Sequence, residues 1–224
     1  MSGLSVCVLG DSMVERWGSG CPSLLAALRR QYSQIEFEVF NHGLAGARAG
    51  NSLGRVSQEF YDERGHHASV ASRDPQIVVV ESMSYSHRGD GPEGMAEYRD
   101  LLRRIADEVR STTRAQFLFC LALPPHRERF LETDFWHRNT SRATRQRFAD
   151  DVRLYLDEAR RIAQDEMWPL ADVPAEVEKS IASGVSPRRL TDQSDSLHPS
   201  SSGYELMAMV ITRAIDFHRM VDAA

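Results

Sequence analysis

Short, almost continuously apolar runs separated by helix-length segments constrain this chain most. Five runs have β character: SVCVLG (5–10), IEFEVF (35–40), QIVVVES (76–82), AQFLFCLAL (115–123) and WPLADV (168–173). The first, third and fourth scarcely alternate, as strands covered on both faces of a parallel sheet do not. The second alternates, which suits an edge strand. Helical stripes lie between them. Leu24, Leu25 and Leu28 mark 22–31, and Met95, Tyr98, Leu101, Leu102, Ile105 and Val109 mark 93–111. Phe148, Val152, Tyr155, Leu156, Ala159 and Ile162 mark 140–165, and Leu206, Met209, Val210, Ala214 and Phe217 mark 200–221.

Strands alternating with helices predict an α/β fold, a three-layer α/β/α stack around a five-stranded parallel sheet. Right-handed crossovers prune its topologies, and an order 2-1-3-4-5 places a site near the ends of strands one and three. The segments 61–74, 86–92, 124–139 and 174–194 read as irregular. No repeat or shift in composition divides the chain, so one domain over 1–224 is expected.

The 224 residues are 42% hydrophobic, enough for one sizeable core. A net charge of −5 argues against a dedicated nucleic-acid binder. No run approaches the ~18 apolar residues of a membrane helix. MSGLSVCVLG lacks a basic leader region and runs straight into the first motif, so a cytoplasmic location is expected. Cys7, Cys21 and Cys120 are scattered and odd in number, which predicts neither a disulfide framework nor a zinc ribbon. Cys7 and Cys120 read as buried small hydrophobes. His66 and His67 have no partner at metal-ligand spacing, so no metal site is expected there.

Four segments can carry chemistry: GDS (10–12), NHGLAG (41–46), ESMSYSHRGDG (81–91) and DSLHP (195–199). The first three follow strands one to three, and parallel strands bring their C-terminal ends to one edge. Taken alone, Ser12 reads as a helix cap. A serine hydroxyl becomes a nucleophile only with a base in reach, and His198 can supply one. Asp195, three residues earlier, can orient that imidazole from the same turn; Asp192 is its nearest competitor. The backbone N–H groups of Ser12 and Gly46 can face a developing oxyanion. Asn41 suits a side-chain-fixed turn.

These motifs, in this order from about residue 5 to about residue 212, resemble the SGNH (GDSL-type) hydrolase family. DSLHPSSSGYELMA is the more specific part of the likeness. The resemblance implies a flavodoxin-like fold and ester or thioester hydrolysis, sometimes acyl transfer, with no metal or organic cofactor. By position, Ser12 resembles the nucleophile, Gly46 an oxyanion donor, and Asp195 and His198 the acid and base partners. Met13 stands where the family has leucine, a swap of similar volume. The family's third-block asparagine has no counterpart in ESMSYSHR. Ser86 occupies its position in a Tyr-Asn alignment, and Ser84 is the alternative.

The reading is therefore a serine esterase acting through an acyl-enzyme on a small-molecule or carbohydrate ester, with a short acyl group such as acetyl. An acyltransferase using the same residues, or a binding protein weakened by the missing asparagine, are the alternatives. Six arginines between 127 and 147 (Arg127, Arg129, Arg138, Arg142, Arg145, Arg147) read as a solvated face rather than an anion site. Glu81, Met83 and Tyr85 are candidates for lining the pocket.

Overall fold

The computed structural model describes residues 3–62, 65–87, 89–137 and 139–222. Five strands form one parallel sheet: β1 (Leu4–Gly10), β2 (Phe37–Gly43), β3 (Ile77–Glu81), β4 (Gln116–Cys120) and β5 (Leu170–Ala171). Their order is 2-1-3-4-5, all neighbours parallel, with β2 at an edge as its alternation predicts. Among the described residues, seven helices surround it: α1 (Ser12–Glu15), α2 (Pro22–Gln31), α3 (Ala49–Ser57), α4 (Gly91–Thr112), α5 (Arg142–Asp165), α6 (Val173–Ala182) and α7 (Ser201–Phe217). Among the described residues, no helix is long and apolar enough to cross a membrane.

The period of two along each strand divides the core into two layers. Cys7, Leu9, Val78, Val80, Phe117 and Phe119 pack with α3, α4 and α5. Val6, Val8, Val79, Leu118 and Cys120 pack with α2, α6 and α7. All three cysteines are free and buried. The α4 stripe read from sequence is the buried face of that helix, except that Met95 is only partly buried. At the chain's end the stripe stops early: α7 closes at Phe217, whose ring is exposed.

Three expectations need correction. Strand β2 starts later and runs to Gly43, so NHG is strand rather than loop. The first part of the segment 174–194, residues 174–182, is helix α6, which starts early because β5 is only two residues long. Asp172 caps α6 by accepting from the Ala175 N–H, with Pro174 in the first turn. Finally, 61–74 contains part of a small antiparallel hairpin, Phe60–Asp62 with Gly65–His67.

One close approach fixes the site end of the sheet. The four-residue α1 lies on the end of β2, and a Cβ on Gly43 would fall 2.0 Å from the Glu15 backbone nitrogen. Asn41 secures the same junction, donating from Nδ2 to the carbonyls of Val14 and Gly18, both at 2.8 Å. Its Oδ1 accepts the Gly43 N–H at 2.8 Å, the local turn bond its sequence position suggests. Gly43→Ala should therefore destabilise the fold by about 1–3 kcal/mol in urea denaturation, the usual cost of forced overpacking. An unchanged midpoint would show that α1 can move away freely.

Candidate active site

Strand β1 delivers Gly10, Asp11 and Ser12 to the C-terminal edge of the sheet. Asp11, not Ser12, caps α1: its Oδ1 accepts the Met13 N–H at 2.8 Å. Ser12 is the first residue of the helix, and its Oγ lies 2.9 Å from His198 Nε2. His198 Nδ1 lies 2.7 Å from Asp195 Oδ2. Asp195 lies between β5 and α7, on a turn where Ser196 takes a left-handed φ of 55°. That turn lets Asp195 Oδ1 accept the N–H groups of Leu197 and His198, at 2.9 and 3.0 Å. Asp192 is spent elsewhere: its carboxylate accepts the Ser194 N–H, and its own N–H donates to the His198 carbonyl.

A hydroxyl bonded to an imidazole that is bonded in turn to a carboxylate can pass a proton from oxygen to nitrogen while the acid holds the ring. Burial pushes the Asp195 carboxyl up. The His198 ring and the two backbone N–H groups outweigh burial and hold it well below the ordinary carboxylate range. Arg16 also reaches it, with Nη1 2.6 Å from the same Oδ2. The sequence reading missed Arg16; its only signal was a charge one helical turn after Ser12.

The structure places the other predicted residues as follows. Gly46 is exposed, in a turn with φ +73° that only glycine adopts readily. That turn is tied to the site, since the Leu44 N–H donates to the Gly10 carbonyl at 3.1 Å. Ser86 Oγ donates to Asp11 Oδ2 at 2.8 Å. Ser84 is fully buried, bonded to Ser82 and Tyr98. Glu81, the last residue of β3, and Met83 and Tyr85, in the turn that follows it, are buried in the core rather than lining a pocket. Of the six arginines, Arg127 pairs with Asp150, Arg129 with Glu132 and Arg142 with Glu128. Arg145 donates to the Thr140 carbonyl. Arg138 lies outside the described residues. Among the described residues, no group of three or more His, Cys, Asp or Glu side chains could hold a metal ion.

Beneath Ser12 is a buried charge cluster that the motifs did not announce. Burial raises the Asp11 carboxyl, against the opposing pull of the Met13 N–H, the Ser86 hydroxyl, His198 and Arg55. Burial and then the charge of Asp11 push Glu81 well above its ordinary range. Burial lowers Arg55 to about 10. Its guanidinium donates to the carbonyls of Gly10 and His42, clamping the ends of β1 and β2. His87 is kept neutral by burial, which lowers it to about 4, and its Nε2 accepts the first N–H of α3, from Ala49, at 3.0 Å.

Glu81 makes a pH-linked prediction. Its folded pKa lies above the unfolded one, so the folded state binds the extra proton and loses stability as pH rises above about 4.3. Glu81→Gln removes that loss. In urea denaturation the variant should gain on the parent between about pH 5 and pH 8. A constant difference across that range would mean that Glu81 ionises as freely folded as unfolded.

The profile of the GDSL-like Lipase/Acylhydrolase family matches residues 6–211. No curated protein matches the chain. Among solved structures, a catalytic mutant of Axe2, an acetylxylan esterase from Geobacillus stearothermophilus, is similar at 18% identity and a TM-score of 0.66. That match covers 96% of this chain and 94% of the other. The lipase/acylhydrolase from Enterococcus faecalis is similar at 20% identity and a TM-score of 0.63, over 96% of each chain. The family match spans nearly all of the chain and joins the edge where Ser12, His198 and Asp195 meet: this protein is an ester-hydrolysing enzyme of the GDSL-like lipase/acylhydrolase family.

Proposed function

We propose that the chain is a serine esterase that works through an acyl-enzyme on Ser12. The observation that carries this reading is the unbroken hydrogen-bond chain from Ser12 Oγ through His198 to Asp195 Oδ2. Ser12 Oγ attacks the ester carbonyl and its proton passes to His198 Nε2, while Asp195 steadies the ring as it gains charge. The tetrahedral oxyanion is met by the N–H groups of Ser12 and Gly46. Collapse breaks the bond to the alkoxy oxygen, which leaves with the proton from Nε2. A water activated by the same nitrogen then frees the acid and restores Ser12.

Ser86 is the proposed third donor, with a condition attached. A hydroxyl has one hydrogen, and Ser86 places it on Asp11 Oδ2. It can turn toward the oxyanion when Asp11 holds the proton instead, the form that burial favours. A short acyl group, acetyl above all, on a carbohydrate or small metabolite is the substrate class we favour, in line with the likeness to an acetylxylan esterase.

Two measurements test this. A fluorophosphonate probe should label the parent and not Ser12→Ala, and that variant should lose about six orders of magnitude in kcat. Labelling that survives the substitution would exclude Ser12 as nucleophile. Across model esters of increasing chain length, kcat/KM should be highest for acetyl; a maximum at long chains would reverse the assignment of acyl group.

A further inference from the structure

The carboxylate of Asp195 is filled on every side. Oδ1 takes two backbone N–H groups, and Oδ2 takes His198 Nδ1 and Arg16 Nη1. Arg16 is the C-cap residue of α1, and its N–H donates to the carbonyl of Ser12. One short helix therefore grips the His–Asp pair at both ends: Ser12 Oγ on Nε2, and Arg16 on the acid. The neighbouring Trp17 stacks on Tyr204 of α7 with ring centroids 5.2 Å apart, which braces the helix against the element that follows His198. The bridge spans 179 residues of sequence, and the Arg16 side chain is 52% exposed against 11% for Asp195. As a partly exposed ion pair it adds little to global stability. Its effect is local, on the direction and charge of one buried carboxylate.

We propose that Arg16 is a positioning residue of the relay: by sharing Asp195 Oδ2 with His198 it fixes the orientation of the acid and restrains its pull on the imidazole. This deepens the serine-esterase reading and rests on it. Without the guanidinium, Oδ2 has an open lone pair, the carboxylate can swing or admit water, and its full charge acts on the ring. The charged and titratable groups around the relay are Asp195, Arg16, Asp11 with Arg55 acting on it, and Tyr204 with Cys21 acting on it; among the described residues, Arg16 is the arginine that pairs directly with the acid.

The test compares Arg16→Met and Arg16→Lys with the parent, in the full chain. In Arg16→Met, kcat on an acetyl ester should fall about tenfold with KM nearly unchanged, and the acid limb of the kcat/KM profile should move to higher pH. Arg16→Lys restores the charge and should recover most of both effects. A second readout does not need turnover. The downfield Nδ1 proton of His198, visible by NMR when bonded to Asp195, should persist in the parent and the Lys variant and broaden or shift in the Met variant. If the parent turns over no ester, the serine-esterase reading fails while the NMR comparison still decides the role of Arg16. An unmoved acid limb together with an unchanged Nδ1 proton in Arg16→Met would overturn the proposal.

Discussion

The hydrogen bond between Ser12 Oγ and His198 Nε2, 2.9 Å long, joins residues 186 positions apart, and the surrounding architecture makes that meeting possible. A serine cannot be brought to a histidine at that range by local structure. It needs a sheet edge that holds one and a final loop that returns the other. Strand β1 is the inner strand that supplies the edge, paired on both sides by β2 and β3. The turn before α7 supplies the return. The α1 helix, seated on Gly43, sets the height at which Ser12 projects.

The same edge concentrates buried charge. Asp11, Glu81 and Arg55 lie under Ser12, where separate ionisation of both carboxylates is unfavourable. Their hydrogen bonds tie three sequence blocks together: Asp11 to Ser86, Arg55 to the ends of β1 and β2, and Glu81 to the Met83 N–H at 2.8 Å. The network is not fully satisfied, since Arg55 Nε and Glu81 Oε2 are buried without a hydrogen-bond partner among the described residues, but the bonds it does make tie down the backbone from which Ser12 projects. The third block has no asparagine, and its Ser86 hydroxyl donates to Asp11; under the proposed function, the proton on Asp11 decides whether that hydroxyl is free to turn to the oxyanion.

The sheet order and the convergence of Ser12, Asp195 and His198 were legible because each has a strong periodic or spacing signal. The apolar strands have no alternation to misread, and the DxxHP spacing puts acid and base on one turn. Helix α3 was illegible for a physical reason. Its sequence AGNSLGRVS holds two glycines, and its first N–H is satisfied by His87 from a distant loop rather than by a local cap. Helix α6 did carry local signals, Asp172 and Pro174, but the overlong strand expected at 168–173 hid them. Arg16 and Asp11 illustrate a different limit. Their roles depend on what lies opposite them in space, and a single sequence shows neither Asp195 beside Arg16 nor Ser86 beside Asp11.

Rapid-quench mass spectrometry tests the central claim most directly. The parent enzyme is mixed with an acetyl ester, quenched within a single turnover and digested. The account predicts one acetyl group on the peptide containing Ser12, formed before free acid appears and absent in His198→Ala. Acid released with no acylated peptide, or the acetyl group on another residue, would contradict it.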